Sequence, residues 1–351
     1  MTAPLGIIEG YYGKPWSWAD RAHVIGFLAA HGYRFYIYAP KADRLLRKRW
    51  REEHAKDITE SLRGLSVHCR SNKVAFGIGL SPFEIYRNFD SEAETALARK
   101  LAWIDSLETD ILAILFDDMR GDFPDLARTQ VQIMHWVKER TKARHLIVCP
   151  SYYSDDPALD RFFGKRPEGY LEELGETLDP AIDVFWTGEE VCARAIEPAH
   201  IRRVAGQLKR KPLLWDNYPV NDGPRMSPFL YLRAFTGRSA ELGSLLSAHA
   251  VNPALQPYLS LIPMLTLADA YRSGDEYAYG RAFEDASPLV LGESLAHLVR
   301  EDLTFLQDVG LDRLGKWADR LRERYAALDH PAAREIVAWL DGAYRVSEMA
   351  D

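Results

Sequence analysis

The sequence predicts a (β/α)8 barrel followed by a C-terminal helical region, on three observations. Eight short apolar runs recur through the first roughly 250 residues, with helix-like segments between most of them, the repeat number and length of such a barrel. The runs are near-continuously apolar, as strands covered on both faces should be. No GxGxxG follows the first run, where a doubly wound nucleotide-binding sheet would carry it.

Gly6-Ile7-Ile8-Glu9 reads as the first strand, followed by a Gly/Tyr/Pro-rich loop from Gly10 to Trp16. Ser17-x-x-Asp20 is a capping box, and Val24, Phe27 and Leu28 recur at helical spacing until Gly32. Phe35–Tyr38 is the second strand, ended by Ala39-Pro40-Lys41, so one βαβ unit closes within about forty residues. Further strands are predicted at Val74–Leu80, Ile111–Phe116, Leu146–Cys149, Ile182–Trp186, Leu213–Trp215 and, more weakly, Leu245–Ala248. Helices fall between, for example at Glu92–Leu107 and Leu126–Arg140.

From about Leu265 the strand signals stop. Leu295, Leu298, Val299, Leu303 and Leu306 mark one amphipathic helix. Leu314, Trp317, Leu321 and Tyr325 mark another, and Ile336, Trp339 and Leu340 a third. The expected division is a barrel over 1–265 and a helical appendage over 266–351.

Composition narrows the function classes. The 351 residues are 47% hydrophobic and 27% charged, enough for a large core. The net charge of −7 disfavours a nucleic-acid binder, which carries a basic domain or stripe. The basic run Arg44 to Arg51 contains Leu45, Leu46 and Trp50 and reads as a solvated helix or loop. Cys69, Cys149 and Cys192 lie far apart without CxxC, against a disulfide framework or structural zinc. No signal peptide and no long apolar span are visible, so the expectation is a cytoplasmic protein with no membrane partner.

Barrel active sites lie at the C-terminal ends of the strands. The residues there are Glu9, Gly10 and Tyr12, then Lys41, Ser81, Asp117-Asp118, Ser151 with Tyr153, Thr187-Gly188, Asp216-Asn217 and Asn252. Polar groups for hydroxyls interleaved with flat rings for apolar sugar faces are the makings of a carbohydrate pocket. Asp117-Asp118 is the candidate catalytic centre. Neighbours inside a strand point to opposite faces, but at a terminus the chain turns and both carboxylates can face the mouth. Close carboxylates ionise one at a time, which divides acid from base as glycoside cleavage requires. The same pair could instead be a solvated cap on the next helix.

Trp215-Asp216-Asn217-Tyr218-Pro219-Val220-Asn221-Asp222 crowds acid and amide side chains that can chelate adjacent hydroxyls, although Asn, Asp and Pro are also ordinary turn residues. A metal site is harder to assemble: His145 starts its strand, at the wrong end of the barrel, and His249, expected after the last strand, has no histidine partner. No cofactor and no metal are therefore expected.

Together these segments resemble glycoside hydrolase family 84, the β-N-acetylglucosaminidases that include protein O-GlcNAcases and hyaluronidase-like catalytic domains. The matching pieces are Gly6 to Trp16, Tyr38 to Lys41, Leu115 to Asp118, Cys149 to Tyr153, Trp186 to Gly188, Trp215 to Asp222, and Asn252-Pro253, in family order over about residues 5–265. The resemblance implies a TIM barrel and an exo-acting, retaining hydrolysis of β-linked N-acetylglucosamine (GlcNAc). In it the substrate's own 2-acetamido oxygen attacks the anomeric carbon and an oxazoline forms. The implied substrate is a GlcNAc-bearing glycoconjugate or glycoprotein.

By the same resemblance, Asp117 orients and polarises the acetamido N–H. Asp118 is the general acid and then base, its pKa raised by its neighbour. Tyr153 hydrogen-bonds at the acetamide and reaction centre, Trp215 walls the acetamide pocket and Asn217 positions the acetamide. Asp222 grips the 4- and 6-hydroxyls. Gly10, Lys41 and Asn252 are further sugar-contacting positions, and Tyr12 lines the pocket.

Three departures from the family pattern are a short loop at Met119–Phe123, Tyr152 in place of an acidic residue, and Glu189 in place of proline. All three are expected at the rim, where they bear on the aglycone. Two alternatives stay open on residues alone: a non-catalytic GlcNAc- or glycan-binding barrel, since fold does not guarantee activity, and a metal-dependent barrel hydrolase.

Overall fold

The apolar runs pair side by side in chain order and close on themselves. In the computed structural model, which describes residues 2–347, the strands are β1 (Leu5–Glu9), β2 (Tyr33–Tyr38), β3 (Ala75–Leu80), β4 (Ile111–Leu115), β5 (His145–Cys149), β6 (Ile182–Trp186), β7 (Leu213–Asp216) and β8 (Ala248–Val251). They form one closed parallel barrel, β8 returning to β1 with Leu5 beside His249 and Ile7 beside Val251. A parallel pair cannot be joined by a tight turn, so helices return the chain over the outside. They include Trp18–Ala29, Lys56–Ser71, Ser91–Asp105, Leu126–Lys138, Tyr170–Thr177, Pro198–Leu208 and Pro257–Ser273. The first begins on the capping box read from the sequence: Ser17 Oγ accepts from Asp20 N at 3.1 Å and Asp20 Oδ2 from Ser17 N at 3.4 Å.

The eighth strand lies further along than the apolar pattern predicts. Leu242–Leu245 is a helical turn and the strand is Ala-His-Ala-Val. Its signal is broken by His249, which lies inside the strand rather than after it. His249 is fully buried, with ring nitrogens 3.0 Å from Asp216 Oδ2 and 2.9 Å from Tyr271 Oη. A buried imidazole satisfied on both sides is structural, and it does not reach the barrel mouth. His145 opens β5 and is exposed at the opposite end.

Beyond β8 the chain is helical. Pro257–Ser273 runs across residue 265, and Tyr279–Leu303, Trp317–Ala326 and Pro331–Leu340 follow. These helices hold the long irregular segment after β7. Gln307 Oε1 accepts from Leu232 N and Arg233 N at 2.8 and 2.9 Å, and Trp339 Nε1 donates to Ser227 O at 3.1 Å. Glu335 reaches the first turn of Pro257–Ser273, accepting from Tyr258 N and Leu259 N at 2.8 and 2.9 Å and so satisfying two of the N–H groups a helix start leaves unpaired. Among the described residues, no helix is long and apolar enough to cross a membrane.

Candidate active site

A cavity of about 280 Å³ opens at the C-terminal ends of the strands. Gly10, Tyr12, Lys41, Asp117, Asp118, Tyr153, Trp215, Asn217, Asp222 and Asn252 all line it. Other strand-end residues turn away. Glu9 is fully buried against Arg21 (Nε–Oε2 2.8 Å), Tyr11 and Tyr36. Ser81 donates to Leu115 O and Ser151 to Phe116 O, both at 3.0 Å. Asp216 points behind β7, where Arg238 and His249 outweigh burial and hold its carboxyl below the usual carboxylate range.

The turn after β4 brings both aspartates to the cavity. Asp118 adopts φ 55°, a left-handed conformation that aspartate tolerates better than most residues. Two consecutive side chains therefore converge instead of diverging. Asp117 Oδ2 forms an ion pair with Lys41 Nζ, while Asp117 Oδ1 is buried with no hydrogen-bond partner among the described residues. A buried carboxylate oxygen left without a donor costs free energy until something supplies one.

Asp118 is bracketed by phenols: Tyr12 Oη donates to Oδ2 at 2.7 Å and Tyr153 Oη to Oδ1 at 2.9 Å. Lys41 Nζ stands 3.8 Å from Oδ2. Burial raises the Asp118 pKa, but Lys41, the Tyr12 hydroxyl, Arg47 and the Tyr153 hydroxyl together hold it below the usual value. That corrects the expectation of a raised pKa: the nearby cations and the phenol donors outweigh burial. Burial and the two aspartates push the Tyr153 phenol far up, so it stays a donor.

The opposite wall is an amide relay. Asn217 Oδ1 accepts from Trp215 Nε1 at 3.0 Å and from Asn252 Nδ2 at 2.9 Å, and Asn217 Nδ2 donates to Val191 O at 2.7 Å. Asn252 Oδ1 accepts from Gly10 N at 3.2 Å. Each amide therefore keeps one N–H for a ligand. Gly10 must be glycine, because a Cβ there would lie 2.2 Å from Cζ2 of Trp215. Asp222 Oδ2 accepts from Tyr12 N at 2.8 Å, and burial, with Asp118 nearby, pushes its pKa up to about 6.

Arg47 is a residue the sequence reading missed. It lies in the basic run taken as solvated, yet it is buried, donates from Nη2 to Asp118 O at 3.3 Å and stacks 5.7 Å from the Tyr12 ring centre. No spacing signal marks it. Leu159, Phe162, Phe163 and Met226 form an apolar collar from loops that carry no motif. None of the three departures expected at the rim, Met119–Phe123, Tyr152 and Glu189, lines the cavity. Tyr152 is fully buried and donates to Gly164 O at 2.6 Å, and Glu189 accepts from Glu197 N at 3.2 Å. Among the described residues, no cluster of three or more His, Cys, Asp or Glu side chains could hold a metal ion.

The sequence model of the beta-N-acetylglucosaminidase family matches residues 5–305. The protein O-GlcNAcase of Rattus norvegicus is 30% identical over 281 residues, and that of Mus musculus 31% over 278. Each alignment covers 76% of this chain and 30% of the relative, so the chain spans under a third of the length of these relatives. Among solved structures, a mutant of the O-GlcNAc hydrolase of Thermobaculum terrenum superposes with a TM-score of 0.79 at 29% identity, covering 96% of this chain and 80% of that one.

Proposed function

Because the chain belongs to the β-N-acetylglucosaminidases of glycoside hydrolase family 84, we propose that it is a retaining exo-β-N-acetylglucosaminidase acting on GlcNAc-bearing glycoproteins or glycoconjugates, with the substrate's acetamido group as nucleophile. The observation that carries this reading is the unpartnered Asp117 Oδ1 beside the doubly hydrogen-bonded Asp118. An acetamido N–H is the donor that Asp117 lacks. Accepting it aims the acetamido oxygen at the anomeric carbon and stabilises the positive charge that develops as the oxazolinium ring closes. The cavity, about 280 Å³, is of a size that suits one terminal sugar.

Bond by bond, the acetamido oxygen forms a bond to the anomeric carbon as the bond to the aglycone oxygen breaks. The Asp118 carboxyl delivers its proton to that leaving oxygen. Water then attacks the anomeric carbon from the vacated face and gives a proton to Asp118, while the bond from that carbon to the acetamido oxygen breaks and its electron pair returns to the acetamide. Two displacements restore the starting configuration. Asp118 is held ionised in the free protein, so a bound sugar, by filling the cavity with groups less polar than water, must raise its pKa before the first step. Tyr153 and Tyr12 keep the carboxyl aimed in both steps.

The amide relay and Asp222 hold the ring: Asp222 accepts from hydroxyls, while Asn217, Asn252 and Lys41 donate. Trp215 provides the apolar wall. The Gly10 N–H is already given to Asn252, so what Gly10 offers a ligand is its carbonyl.

The test is hydrolysis of 4-nitrophenyl β-N-acetylglucosaminide by wild type, Asp117→Asn and Asp118→Asn. Removing one charge-stabilising group costs on the order of 100- to 1000-fold in kcat. Calorimetric GlcNAc binding with no turnover by wild type, on this substrate and on GlcNAc-bearing peptides, would leave the non-catalytic glycan-binding barrel standing instead.

A further inference from the structure

A cation stands behind Asp118 without lining the sugar cavity. Arg47 follows the short helical turn Arg44–Leu46, and its neighbours fix its place: Leu46 and Trp50 are buried, and Leu46 O accepts from Ser81 N at 2.8 Å. Ser81 Oγ in turn donates to Leu115 O at 3.0 Å, at the end of β4. The loop that carries Arg47 is thereby registered to the strand that presents the two aspartates.

The side chain is buried between two rings, its guanidinium 5.7 Å from the centre of Tyr12 and 5.5 Å from that of Phe83. Its Nη2 donates to Asp118 O at 3.3 Å, and that carbonyl accepts no other hydrogen bond from a described residue. Among the described residues no carboxylate pairs with Arg47, and its Nε is buried with no hydrogen-bond partner. Burying a cation without an ion pair is costly. Packing alone does not explain it, because an apolar side chain of similar length would fill the same space without that cost. Lys41, the other cation near the aspartates, is committed to Asp117.

We propose that Arg47 is the positioning residue of the general acid, fixing the left-handed turn of Asp118 through its carbonyl and the Asp118 carboxyl through Tyr12. The inference rests on the sugar-site reading above and deepens it. Asp118 is gripped at both ends: the backbone oxygen by Arg47, and Oδ2 by the Tyr12 hydroxyl at 2.7 Å, on the ring that Arg47 stacks against. A carboxyl aimed at the leaving oxygen matters most when that oxygen needs a proton in order to depart. The charge has a second effect. The other groups facing Asp118 are Lys41, Asp117, Tyr12, Tyr153, Asp222 and Cys149. Arg47 adds to Lys41 and the two phenols in holding the carboxyl below the usual carboxylate range, so its removal moves the titration of Asp118 upward.

The test measures kcat/KM across pH for 4-nitrophenyl and phenyl β-N-acetylglucosaminide with the full chain as wild type, Arg47→Met and Arg47→Lys. Nitrophenolate leaves with little help, whereas the more basic phenolate needs the proton. The ratio of the two rates within each variant therefore reads the acid, and any general loss of activity cancels. Arg47→Met keeps a stem between the rings but loses the donor and the charge. Its ratio, nitrophenyl over phenyl, should rise about ten-fold above wild type, part of the roughly 100- to 10,000-fold that an acid–base group contributes, and the alkaline limb of kcat/KM should move to higher pH. Arg47→Lys keeps the charge but not the planar fork, so the ratio should rise while the limb stays in place. It also carries the test if Arg47→Met does not fold. A wild-type ratio in both variants, or an unmoved limb in Arg47→Met, overturns the proposal and leaves the sugar-site reading intact. Wild type that hydrolyses neither glycoside removes that reading itself.

Discussion

Gly10→Ala puts the architecture of the sugar wall to a direct trial. A Cβ at Gly10 lies 2.2 Å from Cζ2 and 2.6 Å from Cη2 of Trp215, against an ordinary carbon–carbon contact of roughly 3.5–4.0 Å. The indole must therefore retreat by more than about 1 Å. It has little room to do so, because Phe185 packs edge-on with ring centres 5.1 Å apart and Trp215 Nε1 is tied to Asn217 at 3.0 Å. Overpacking of this kind costs about 1–3 kcal/mol. A displacement of about 1 Å in a positioning group can cost roughly 100-fold in rate. The expected outcome is a fall in kcat/KM of about that size, with melting a few degrees lower. Gly26→Ala is the control. That glycine sits inside the helix Trp18–Ala29, where the added Cβ meets nothing closer than 3.7 Å, so stability should rise by up to about 1 kcal/mol with kinetics unchanged. Adding Trp215→Leu to Gly10→Ala should recover stability but not activity. Wild-type kinetics and melting in Gly10→Ala would refute the reasoning, since the indole would then not need its place.

Three further outcomes are expected. If sugar binding is what protonates Asp118, the alkaline limb of kcat lies at higher pH than that of kcat/KM, and coincident limbs would contradict this step. Asp222, with its pKa pushed up to about 6, is ionised above that pH and protonated below it. Calorimetric affinity for GlcNAc should accordingly rise between about pH 5 and 7 in wild type and stay flat in Asp222→Asn. Burial, partly offset by the N–H groups of Tyr258 and Leu259, raises the Glu335 pKa to about 8. The folded state then binds the proton more tightly than the unfolded chain, so this residue's contribution is fullest below about pH 4.5 and is lost as pH rises toward 8. Denaturant unfolding should show stability falling across that window by on the order of a few kcal/mol in wild type and less in Glu335→Gln.

The barrel was legible because seven of its strands are near-continuous apolar runs, and the eighth slipped because His249 interrupts it with a buried polar network that no local pattern announces. The aspartate pair could be placed at a strand end from the run before it. The left-handed turn at Asp118 that makes the two carboxylates converge could not, because it depends on the loop's packing. Asn217 could be named as a polar residue after a strand. That its carbonyl oxygen is spent on Trp215 and Asn252 follows only from residues brought together across the mouth. Arg47 shows the opposite failure: a basic run looks solvated, yet one of its arginines is drawn inward by the Tyr12 ring and the backbone of Asp118. Asp216 sits between two residues that line the cavity, and the alternation of a strand turns it to the outside.

The most direct measurement compares 4-nitrophenyl β-N-acetylglucosaminide with 4-nitrophenyl β-glucoside, which carries a hydroxyl in place of the acetamido group, using wild type and Asp117→Asn. With the nucleophile in the substrate and Asp117 Oδ1 as its acceptor, the glucoside should be turned over far more slowly, on the order of 1000-fold or more, and Asp117→Asn should lower only the rate on the acetamido sugar. Comparable turnover of the two sugars by wild type, with the same loss on both in Asp117→Asn, would contradict substrate assistance and return the aspartate pair to an ordinary acid and nucleophile.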